Sequence, residues 1–377
     1  MDVQVNGDLY IGLMSGTSLD GVDAVLASFA GETGRMTLHG HCHRPIPAAL
    51  KQALNELNTC GTDELHRAAL ASNALSRLYS ETVVELLAST GHANTSVRAI
   101  GAHGQTVRHQ PGAFDGTGYT IQLMNGSLLA ELCGIGVVCD FRGRDIAAGG
   151  QGAPLVPGFH AGIFAEDGLS QAILNLGGIA NLTLLGADGS ILGFDCGPAN
   201  TLMDIWCESH LGRSFDEGGE WAATGCVDNT LLVKMLAEPY FSRLPPKSTG
   251  KDLFSAYWLA EKMHELPTTD VAAADVQATL VELTAHVAVE ALVKHQPDTA
   301  RLLVCGGGAL NKTLMARLGT LSNLPTTKTD KFGISAMQVE AAAFAWLAKA
   351  HIERIPANCP AVTGAKGKRI LGAGYPA

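Results

Sequence analysis

The stretch that decides the fold is LYIGLMSGTSLDGVDAVLASF, residues 9–29, in which two apolar runs flank a polar turn. Residues 9–14 and 24–29 are apolar, whereas residues 15–23 are rich in Gly, Ser, Thr and Asp. Apolar runs separated by such turn residues are typical of antiparallel strands. A further turn at 31–34 precedes a third run at 36–38, so the sequence predicts a three-stranded meander.

The same pattern returns near the middle of the chain. Residues 172–176, 182–185 and 191–194 are apolar, and they are separated by Gly177-Gly178 and by a Gly-containing turn at 186–189. Two such meanders, about half a chain apart, indicate duplicated domains that face each other across a cleft. Coincidence is the alternative interpretation, because β-hairpins are common.

Helical periodicity follows each meander. Apolar residues at 3- and 4-residue spacing predict helices around 75–87 and 280–291, and an Ala-rich stretch through Phe344, Trp346 and Leu347 predicts a third helix that opens at 335–338. We expect Asp275 to cap the second helix, and Ser335 with Gln338 to form a capping box before the third. Strands and helices alternate, so the predicted fold class is α/β, with domains at 1–135 plus 355–377 and at 136–354.

The bulk composition narrows the class of protein. Of 377 residues, 46% are hydrophobic and 16% charged, so the chain can bury substantial cores. A net charge of −10 with no run of like charges argues against nucleic acid as a partner. Three features predict a cytoplasmic protein. The chain starts with polar residues, it has no apolar run of about 18 residues, and its nine cysteines include no CxxC pair. Neither a membrane span nor a zinc site is expected.

Two glycine-containing turns are candidates for binding phosphate. Gly16 and Gly21 permit tight backbone turns, while Thr17 and Ser18 offer hydroxyl and N–H groups. Such a hairpin tip can hold a phosphate with amides instead of a lysine. The matching turn, Gly177-Gly178, would face phosphates from the second meander. Ordinary hairpin turns are the alternative at both places.

A third glycine-rich segment follows a predicted strand at 302–305. Its spacing is not GxGxxG, so it does not match a dinucleotide-binding fingerprint. Gly306, Gly307 and Gly308 leave room for a flat ring or a ribose beside a helix N-terminus. Asn311, at the end of the segment, completes the nucleotide-binding candidates.

Asp195 is the candidate catalytic residue. It stands at the end of a predicted strand, before Cys-Gly-Pro-Ala-Asn200, where a carboxylate can project and act as a general base. The alternative is an aspartate that caps the following turn or helix.

Four further polar residues are candidates for substrate binding. Arg142 and Arg144 stand beside two aspartates, and either arginine could hold an acidic substrate group or take part in a local salt-bridge cluster. His103 and Gln105 follow a predicted strand and suit sugar hydroxyls, although a single histidine is more often structural.

The motifs together resemble the anhydro-N-acetylmuramic acid kinases. They are GLMSGTSLDGVD (12–23), AHGQT (102–106), DFRGRDIAAGGQGAPLVP (140–157), NLGGIANLT (175–183), GFDCGPAN (193–200) and CGGGALN (305–311), followed by Glu340. They occur in the family's order and span nearly the whole chain. The resemblance implies an actin-like (ribonuclease H-like) two-domain fold with ATP in the cleft, Mg²⁺ as cofactor, and a homodimer.

The resemblance also implies a reaction. The substrate would be 1,6-anhydro-N-acetylmuramic acid from cell-wall turnover, and the products N-acetylmuramic acid 6-phosphate and ADP, in peptidoglycan recycling. Asp195 matches the family's general base, and Arg142 or Arg144 with Glu340 match positions in the sugar cleft. The ATP-phosphate loop matches Gly16, Thr17, Ser18, Leu19, Asp20, Gly21, Val22 and Asp23.

One motif departs from the family pattern. The family reads D-T-G-P-G-N, whereas this chain has Cys196 and Ala199. Ala199 puts in question any need for a positive φ at that position. Two other functions fit the same fold: a kinase for another hexose or amino sugar, and an actin- or Hsp70-like nucleotide switch.

Overall fold

The structure is a computed structural model, and it describes residues 8–16, 19–30, 35–250, 253–266 and 271–377. The backbone divides into two compact units. The first takes in the described residues up to Ile163 together with Gln338–Ala377, and the second is Phe164–Met337. The first unit is therefore made of two pieces of chain, while the second is one continuous stretch. The turn predicted at 31–34 lies outside the described residues.

Strands and helices alternate along the chain. The strands are β1 (Leu9–Ser15), β2 (Gly21–Ala30), β3 (Arg35–Pro45), β4 (Val97–Ala102), β5 (Gln105–Pro111), β6 (Gly118–Leu123), β7 (Val137–Cys139), β8 (Gln171–Leu176), β9 (Ile179–Leu185), β10 (Ile191–Pro198), β11 (Leu302–Cys305), β12 (Thr326–Lys328) and β13 (Ala373–Tyr375). The α-helices are α1 (Ala48–Glu56), α2 (Glu64–Thr90), α3 (Gly126–Cys133), α4 (Gly143–Ala147), α5 (Pro157–Phe164), α6 (Asn200–Leu211), α7 (Asn229–Leu236), α8 (Pro239–Ser242), α9 (Ala256–His264), α10 (Ala273–His295), α11 (Lys312–Ser322), α12 (Val339–Ile352) and α13 (Pro360–Thr363). Short 3₁₀-helices lie at Asn94–Ser96, Glu217–Gly219, Ala222–Thr224, Gly307–Leu310 and Thr329–Phe332.

The first unit is built on one mixed sheet with helices on both faces. Its strand order is β13-β7-β4-β1-β2-β3, in which β1, β2 and β3 are the predicted antiparallel meander and β4 and β7 run parallel to β1. Alternate residues of a strand point to opposite faces. Ile11 and Leu13 accordingly join a buried cluster with Leu75 and Tyr79 of α2. Gly12, between them, faces α12 on the other side.

The second unit repeats this arrangement. Its sheet has the order β10-β9-β8-β11-β12, with β8, β9 and β10 as an antiparallel meander and β11 and β12 parallel to β8. In both sheets the order is third, second and first strand of the meander, followed by two parallel strands. The shared topology confirms the predicted α/β class and the duplicated actin-like fold.

The boundaries of the two units differ from those predicted. β7 pairs with β4 and with β13, so residues 136–163 belong to the first unit and not to the second. α12 packs on β1 and β4, which brings residues 338–354 into the first unit as well. Sheet pairing and helix packing decide both boundaries.

Two predicted helix starts are wrong. α10 begins at Ala273, and Asp275 lies inside its first turn, where its carboxylate accepts a hydrogen bond from the Cys226 N–H at 2.7 Å instead of capping the helix. α12 begins at Val339 with no side-chain cap, because the preceding segment is bonded elsewhere. Ala336 donates to the Asp330 carboxylate and accepts from the Gly306 N–H. Ser335 therefore lies outside the helix.

α10 is the helix among the described residues that is long and apolar enough to cross a membrane by composition. Its 18-residue apolar window is 78% buried within the protein. It packs against α11, α7, α6 and β10. These contacts account for its apolar character as that of a core helix.

Candidate functional site

The carboxyl end of β1 forms the centre of the site in the first unit. The loop after β4 is fastened to it, because the His103 N–H donates to the Leu13 carbonyl at 3.0 Å. His103 Nδ1 lies 3.2 Å from the Ser15 carbonyl oxygen, and Gln105 Nε2 donates to the Gly16 carbonyl at 3.3 Å. The carboxyl ends of parallel strands are where ligands bind in α/β sheets. The structure thus brings Gly16, His103 and Gln105 together.

The predicted phosphate loop lies between β1 and β2. Thr17 and Ser18 fall outside the described residues. Leu19 adopts a φ of 56°, and its N–H donates to the Gly16 carbonyl at 3.1 Å. The side chains of Leu19 and Val22 are buried in the core, so only their backbone atoms can face a ligand.

The two aspartates of this loop have different surroundings. Asp20 is exposed and lies 3.9 Å from Lys51 Nζ. Asp23 is part of β2, and its Oδ1 lies 3.0 Å from both His41 Nε2 and His43 Nδ1 of β3. A Cβ on the neighbouring Gly21 would overlap the His43 ring. Asp23 is thus engaged with the β3 histidines, while Asp20 stays open to solvent.

The two candidate arginines lie in different places. Arg142 is half-buried, with Nη2 3.1 Å from His103 Nε2, and Nη1 donates to the Gly152 carbonyl at 2.8 Å. Arg144 is exposed. It lines a separate basic pocket of about 520 Å³, together with Arg354, Lys368 and Arg369. Arg142, but not Arg144, therefore joins His103.

The His103 ring is neutral. Its burial, followed by the charge of Arg142, lowers its pKa from 6.5 to about 3. A neutral ring has one donor and one acceptor nitrogen. Since a guanidinium only donates, Nε2 accepts from Arg142, and Nδ1 carries the proton and donates to the Ser15 carbonyl. This tautomer follows from the partners of the ring.

The neutral state of His103 predicts a pH effect on stability. Between its folded pKa of about 3 and its unfolded value of 6.5, only the unfolded protein binds this proton. The stability that depends on a neutral His103 is fully present above pH 6.5. As the pH is lowered from 6.5 towards 3, this group reduces the free energy of unfolding by about 1.4 kcal/mol per pH unit. We expect His103→Gln to lower the slope of the unfolding free energy against pH by about 1.4 kcal/mol per pH unit, which corresponds to one proton. Urea unfolding between about pH 4.5 and 6.5 measures this slope. An unchanged slope would show that His103 titrates alike in both states.

Glu340 lies in the first turn of α12. It precedes Phe344 by one helical turn, and the Phe344 ring centroid lies 4.9 Å from that of His103. Glu340 therefore lies at the N-terminal end of α12, the helix whose Phe344 contacts His103.

The site in the second unit is centred on Asp195. Asp195 lies in β10 directly opposite Asn181 of β9, whose Nδ2 donates to Asp195 Oδ1 at 2.8 Å. The Thr249 N–H donates to Oδ2 at 3.0 Å, and the Tyr240 hydroxyl donates to the Asp195 backbone carbonyl at 2.8 Å. Both carboxylate oxygens are therefore fixed.

The backbone also aims this carboxylate. The pairing of β9 with β10 is irregular between Asp195 and Gly197, and irregularities of this kind re-aim side chains next to functional sites. The N-cap of α6 is Ala199, and no side chain caps that helix, so Asp195 does not serve as its cap. Ala199 has a φ of −117°, so this position does not require a positive φ.

The glycine-rich segments of the second unit lie against each other. The carbonyls of Gly177 and Gly178 accept from the first N–H groups of α6, and Asn200 Nδ2 donates to the Leu176 carbonyl at 3.0 Å. A Cβ on Gly306, whose φ is 81°, would crowd Leu176 and Asn175. A Cβ added to Gly308 would lie 3.0 Å from Asn200 Oδ1, and one added to Gly307 would lie 3.6 Å from Asn200 Nδ2.

Asn311 caps a helix. Its Oδ1 accepts from the Leu314 N–H at 2.9 Å, at the start of α11. An added Cβ on Gly219 would overlap the same amide, which is 9% exposed. The side chain thus has a structural role as the N-cap of α11.

Three residues that shape the site were not predicted from sequence: Asn181, Asn200 and Thr249. The register of the β9–β10 hairpin could have identified Asn181, because the short turn at 186–189 places it opposite Asp195. Thr249 acts through its backbone N–H from a distant loop, and no side-chain pattern signals such a contact.

Two solved structures that align with most of this chain share little sequence identity with it. The (R)-2-hydroxyglutaryl-CoA dehydratase component A of Acidaminococcus fermentans aligns with a TM-score of 0.48 and 10% identity, over 91% of this chain and 100% of that one. A ROK family glucokinase from Streptomyces griseus, in complex with glucose and AMPPNP, aligns with a TM-score of 0.37 and 12% identity, over 90% and 98%. Likenesses this weak add nothing to the assignment.

Sequence relatives are much closer. An anhydro-N-acetylmuramic acid kinase of Variovorax paradoxus is 54% identical, covering 98% of this chain and all of the relative. One from Bordetella petrii is 53% identical, covering 100% of this chain and 98% of the relative. The family model described as anhydro-N-acetylmuramic acid kinase matches residues 8–377. The chain belongs to the anhydro-N-acetylmuramic acid kinase family.

Proposed function

We propose that this protein is an ATP-dependent kinase that opens 1,6-anhydro-N-acetylmuramic acid and phosphorylates its O6. The products are N-acetylmuramic acid 6-phosphate and ADP, within peptidoglycan recycling. The observation that carries the proposal is Asp195, whose two oxygens are fixed by Asn181 and by the Thr249 N–H within the motif GFDCGPAN. A carboxylate held in one orientation is what a general base requires.

Asp195 is the base in the proposed reaction. It takes a proton from a water molecule as the water oxygen bonds to the anomeric carbon. The bond from that carbon to O6 breaks, and O6 then attacks the γ-phosphorus of ATP in line, with ADP leaving. Positioning and charge stabilisation contribute most of the rate in phosphoryl transfer.

The sugar is assigned to residues of the first unit. The buried Gln105, whose Oε1 accepts no hydrogen bond from a described residue, suits a sugar hydroxyl. Both ring nitrogens of His103 already bond Ser15 and Arg142, so His103 is assigned to the sugar through its contact with Arg142. Arg142 is suited to the substrate's carboxylate, because a guanidinium pairs with carboxylates in a forked geometry. Glu340 is assigned to the sugar through the family motif. Arg144 lies with other cations in a separate pocket, so Arg142 is the better candidate of the two.

ATP is assigned to the glycine-containing turns. Backbone amides of the Gly16–Asp20 loop, together with Gly177 and Gly178, suit phosphates, and Gly306–Gly308 suit the ribose or base. Gly177 favours this, because among the residues that the structure describes a Cβ there would meet just the Ile179 carbonyl oxygen, at 3.7 Å.

Mg²⁺ would accompany the nucleotide and neutralise charge on its phosphates. Among the described residues no group of three or more His, Cys, Asp or Glu could hold a metal ion. This fits an ion that keeps several waters and binds mainly through phosphates. Asp20, whose side chain is 73% exposed, is suited to hold it through waters. We assign the protein to the cytoplasm, where ATP is available, and propose a homodimer from the family resemblance.

A coupled ADP-release assay tests the proposed function. Mg-ATP is supplied with 1,6-anhydro-N-acetylmuramic acid, N-acetylmuramic acid or glucose in parallel. We expect turnover with the anhydro sugar alone, and a 6-phosphate product identified by mass spectrometry and NMR. Turnover with an ordinary sugar would replace the substrate assignment, and no sugar-dependent turnover would favour a nucleotide switch.

A further inference from the structure

The loop that carries Arg142 is tied to a buried carboxylate. Asp145, in α4, is fully buried. Its Oδ1 accepts from Asn358 Nδ2 at 2.8 Å and from Thr363 Oγ1 at 2.9 Å, while its Oδ2 accepts from the Gly152 N–H at 2.8 Å. The Asp145 carboxylate thus connects α4 and the loop after it, up to Gly152, with Asn358 and Thr363 in the C-terminal segment of the same unit.

Gly152 extends this connection to Arg142. The N–H of Gly152 is held by Asp145, and its carbonyl accepts from Arg142 Nη1 at 2.8 Å. Its φ of 67° is a conformation that glycine adopts without strain. The other end of the guanidinium, Nη2, faces His103. The hydrogen bonds therefore form one chain, from Asp145 through Gly152 and Arg142 to His103.

The surroundings of Asp145 leave it little freedom. A Cβ on Gly150 would overlap Oδ2, and the Gly150 N–H donates to the backbone carbonyl of Asp145 at 2.9 Å. On the other side, Asn358 is itself held by the Arg369 N–H, which donates to Asn358 Oδ1 at 2.6 Å. A displacement of the carboxylate would therefore be passed to the Gly152 backbone.

We infer that Asp145 is a positioning residue, which aligns the Arg142 guanidinium through Gly152 for the carboxylate of the substrate. The inference rests on the proposed function, because only there does Arg142 bind substrate. Asp145 is fully buried, so it acts through Arg142 and does not touch the sugar. Misalignment of a binding group lowers substrate affinity and rate without removing the group itself.

Asp145→Asn breaks this chain at one defined point. An asparagine side chain has one acceptor oxygen in place of two. Two donors, Asn358 and Thr363, face the position of Oδ1, whereas one donor, the Gly152 N–H, faces the position of Oδ2. The amide oxygen takes the position with two donors, so the NH₂ group faces the Gly152 N–H. We expect KM for the anhydro sugar to rise by about tenfold or more, and KM for ATP to stay within about twofold.

Thr363→Val is the matched control. It removes a donor from the same carboxylate but leaves the Gly152 contact in place, and valine keeps the shape of threonine. We expect lower thermal stability with an unchanged KM for the sugar. If Thr363→Val raised the KM for the sugar as much as Asp145→Asn does, Asp145 would have only a structural role and the inference would be wrong.

A readout without turnover separates this inference from the proposed function. The ¹⁵N shifts of the His103 ring report the hydrogen bond from Arg142 to Nε2. We expect them to change in Asp145→Asn and to stay unchanged in Thr363→Val. Unchanged shifts in folded Asp145→Asn would overturn the inference whatever the substrate. Changed shifts together with a wild-type enzyme inactive on the anhydro sugar would refute the proposed function but keep the connection from Asp145 to Arg142.

Discussion

Replacing Asp195 by asparagine is expected to lower turnover of the anhydro sugar by about two to four orders of magnitude, the usual contribution of a general base. Asparagine has the same shape, and its oxygen still accepts from Asn181 Nδ2 or from the Thr249 N–H. The Tyr240 hydroxyl continues to hold the backbone carbonyl. The fold and ATP binding should therefore persist while proton abstraction is lost. Steady-state kinetics, calorimetric ATP binding and thermal unfolding check the three expectations.

Asp188→Asn is the control for this change. Asp188 lies in the exposed turn of the same β9–β10 hairpin, where its carboxylate accepts from the Ser190 N–H at 2.9 Å. The same substitution there should leave turnover within about twofold, because the carboxylate has no assigned part in the chemistry. Near-normal turnover in Asp195→Asn would refute the base assignment. A parallel loss of ATP binding and stability would make Asp195 a structural residue.

Gly12→Ala is expected to have the largest effect on stability. Gly12 of β1 pairs with Gly101 of β4, and α12 lies directly on both. A Cβ on Gly12 would overlap the Ala341 carbonyl oxygen and lie 2.5 Å from the Ala345 N. These are helix backbone atoms, so α12 as a whole would have to move away from the sheet. We expect a loss of about 3 kcal/mol or more in the free energy of unfolding, measured by urea titration.

Gly162→Ala tests whether the effect belongs to the contact or to glycine in general. Gly162 lies in α5 of the same unit, and within the described parts of the chain an added Cβ there would meet just the Trp346 indole nitrogen, at 3.8 Å. Alanine favours a helix over glycine by about 0.5–1 kcal/mol, so this variant should be as stable as the wild type or slightly more so. A Gly12→Ala variant of wild-type stability would show that α12 is not held against β1 as described.

Much of the fold could be predicted because its signals are local. The strands of both meanders are short apolar runs that end in Gly, Ser or Asp, and the structure has them where the pattern places them. His103 and Gln105 were selected for the same reason, since AHGQT is a compact motif at the end of a predicted strand, whereas DFRGRD left Arg142 and Arg144 as equal candidates.

The remaining features depend on contacts between distant parts of the chain. α12 returns to the first sheet because Gly12 and Gly101 leave space for its backbone, and nothing near residue 339 in the sequence indicates that destination. Asp275 has the residue type of an N-cap, but the Cys226 N–H takes its carboxylate. The two arginines are two residues apart in sequence, and only their side-chain partners tell Arg142 from Arg144.

The division of the first unit into two pieces of chain has a consequence for how the protein is made. During synthesis the ribosome delivers β1 to β7 first, then the whole second unit, and Gln338–Ala377 last. Until that last piece emerges, the face of the nascent first sheet that carries Gly12 and Gly101 lacks α12, the helix that lies on both glycines. The second unit is continuous and can therefore complete its folding first. A message truncated before codon 338 would yield a finished second unit beside a first unit that aggregates or requires a chaperone.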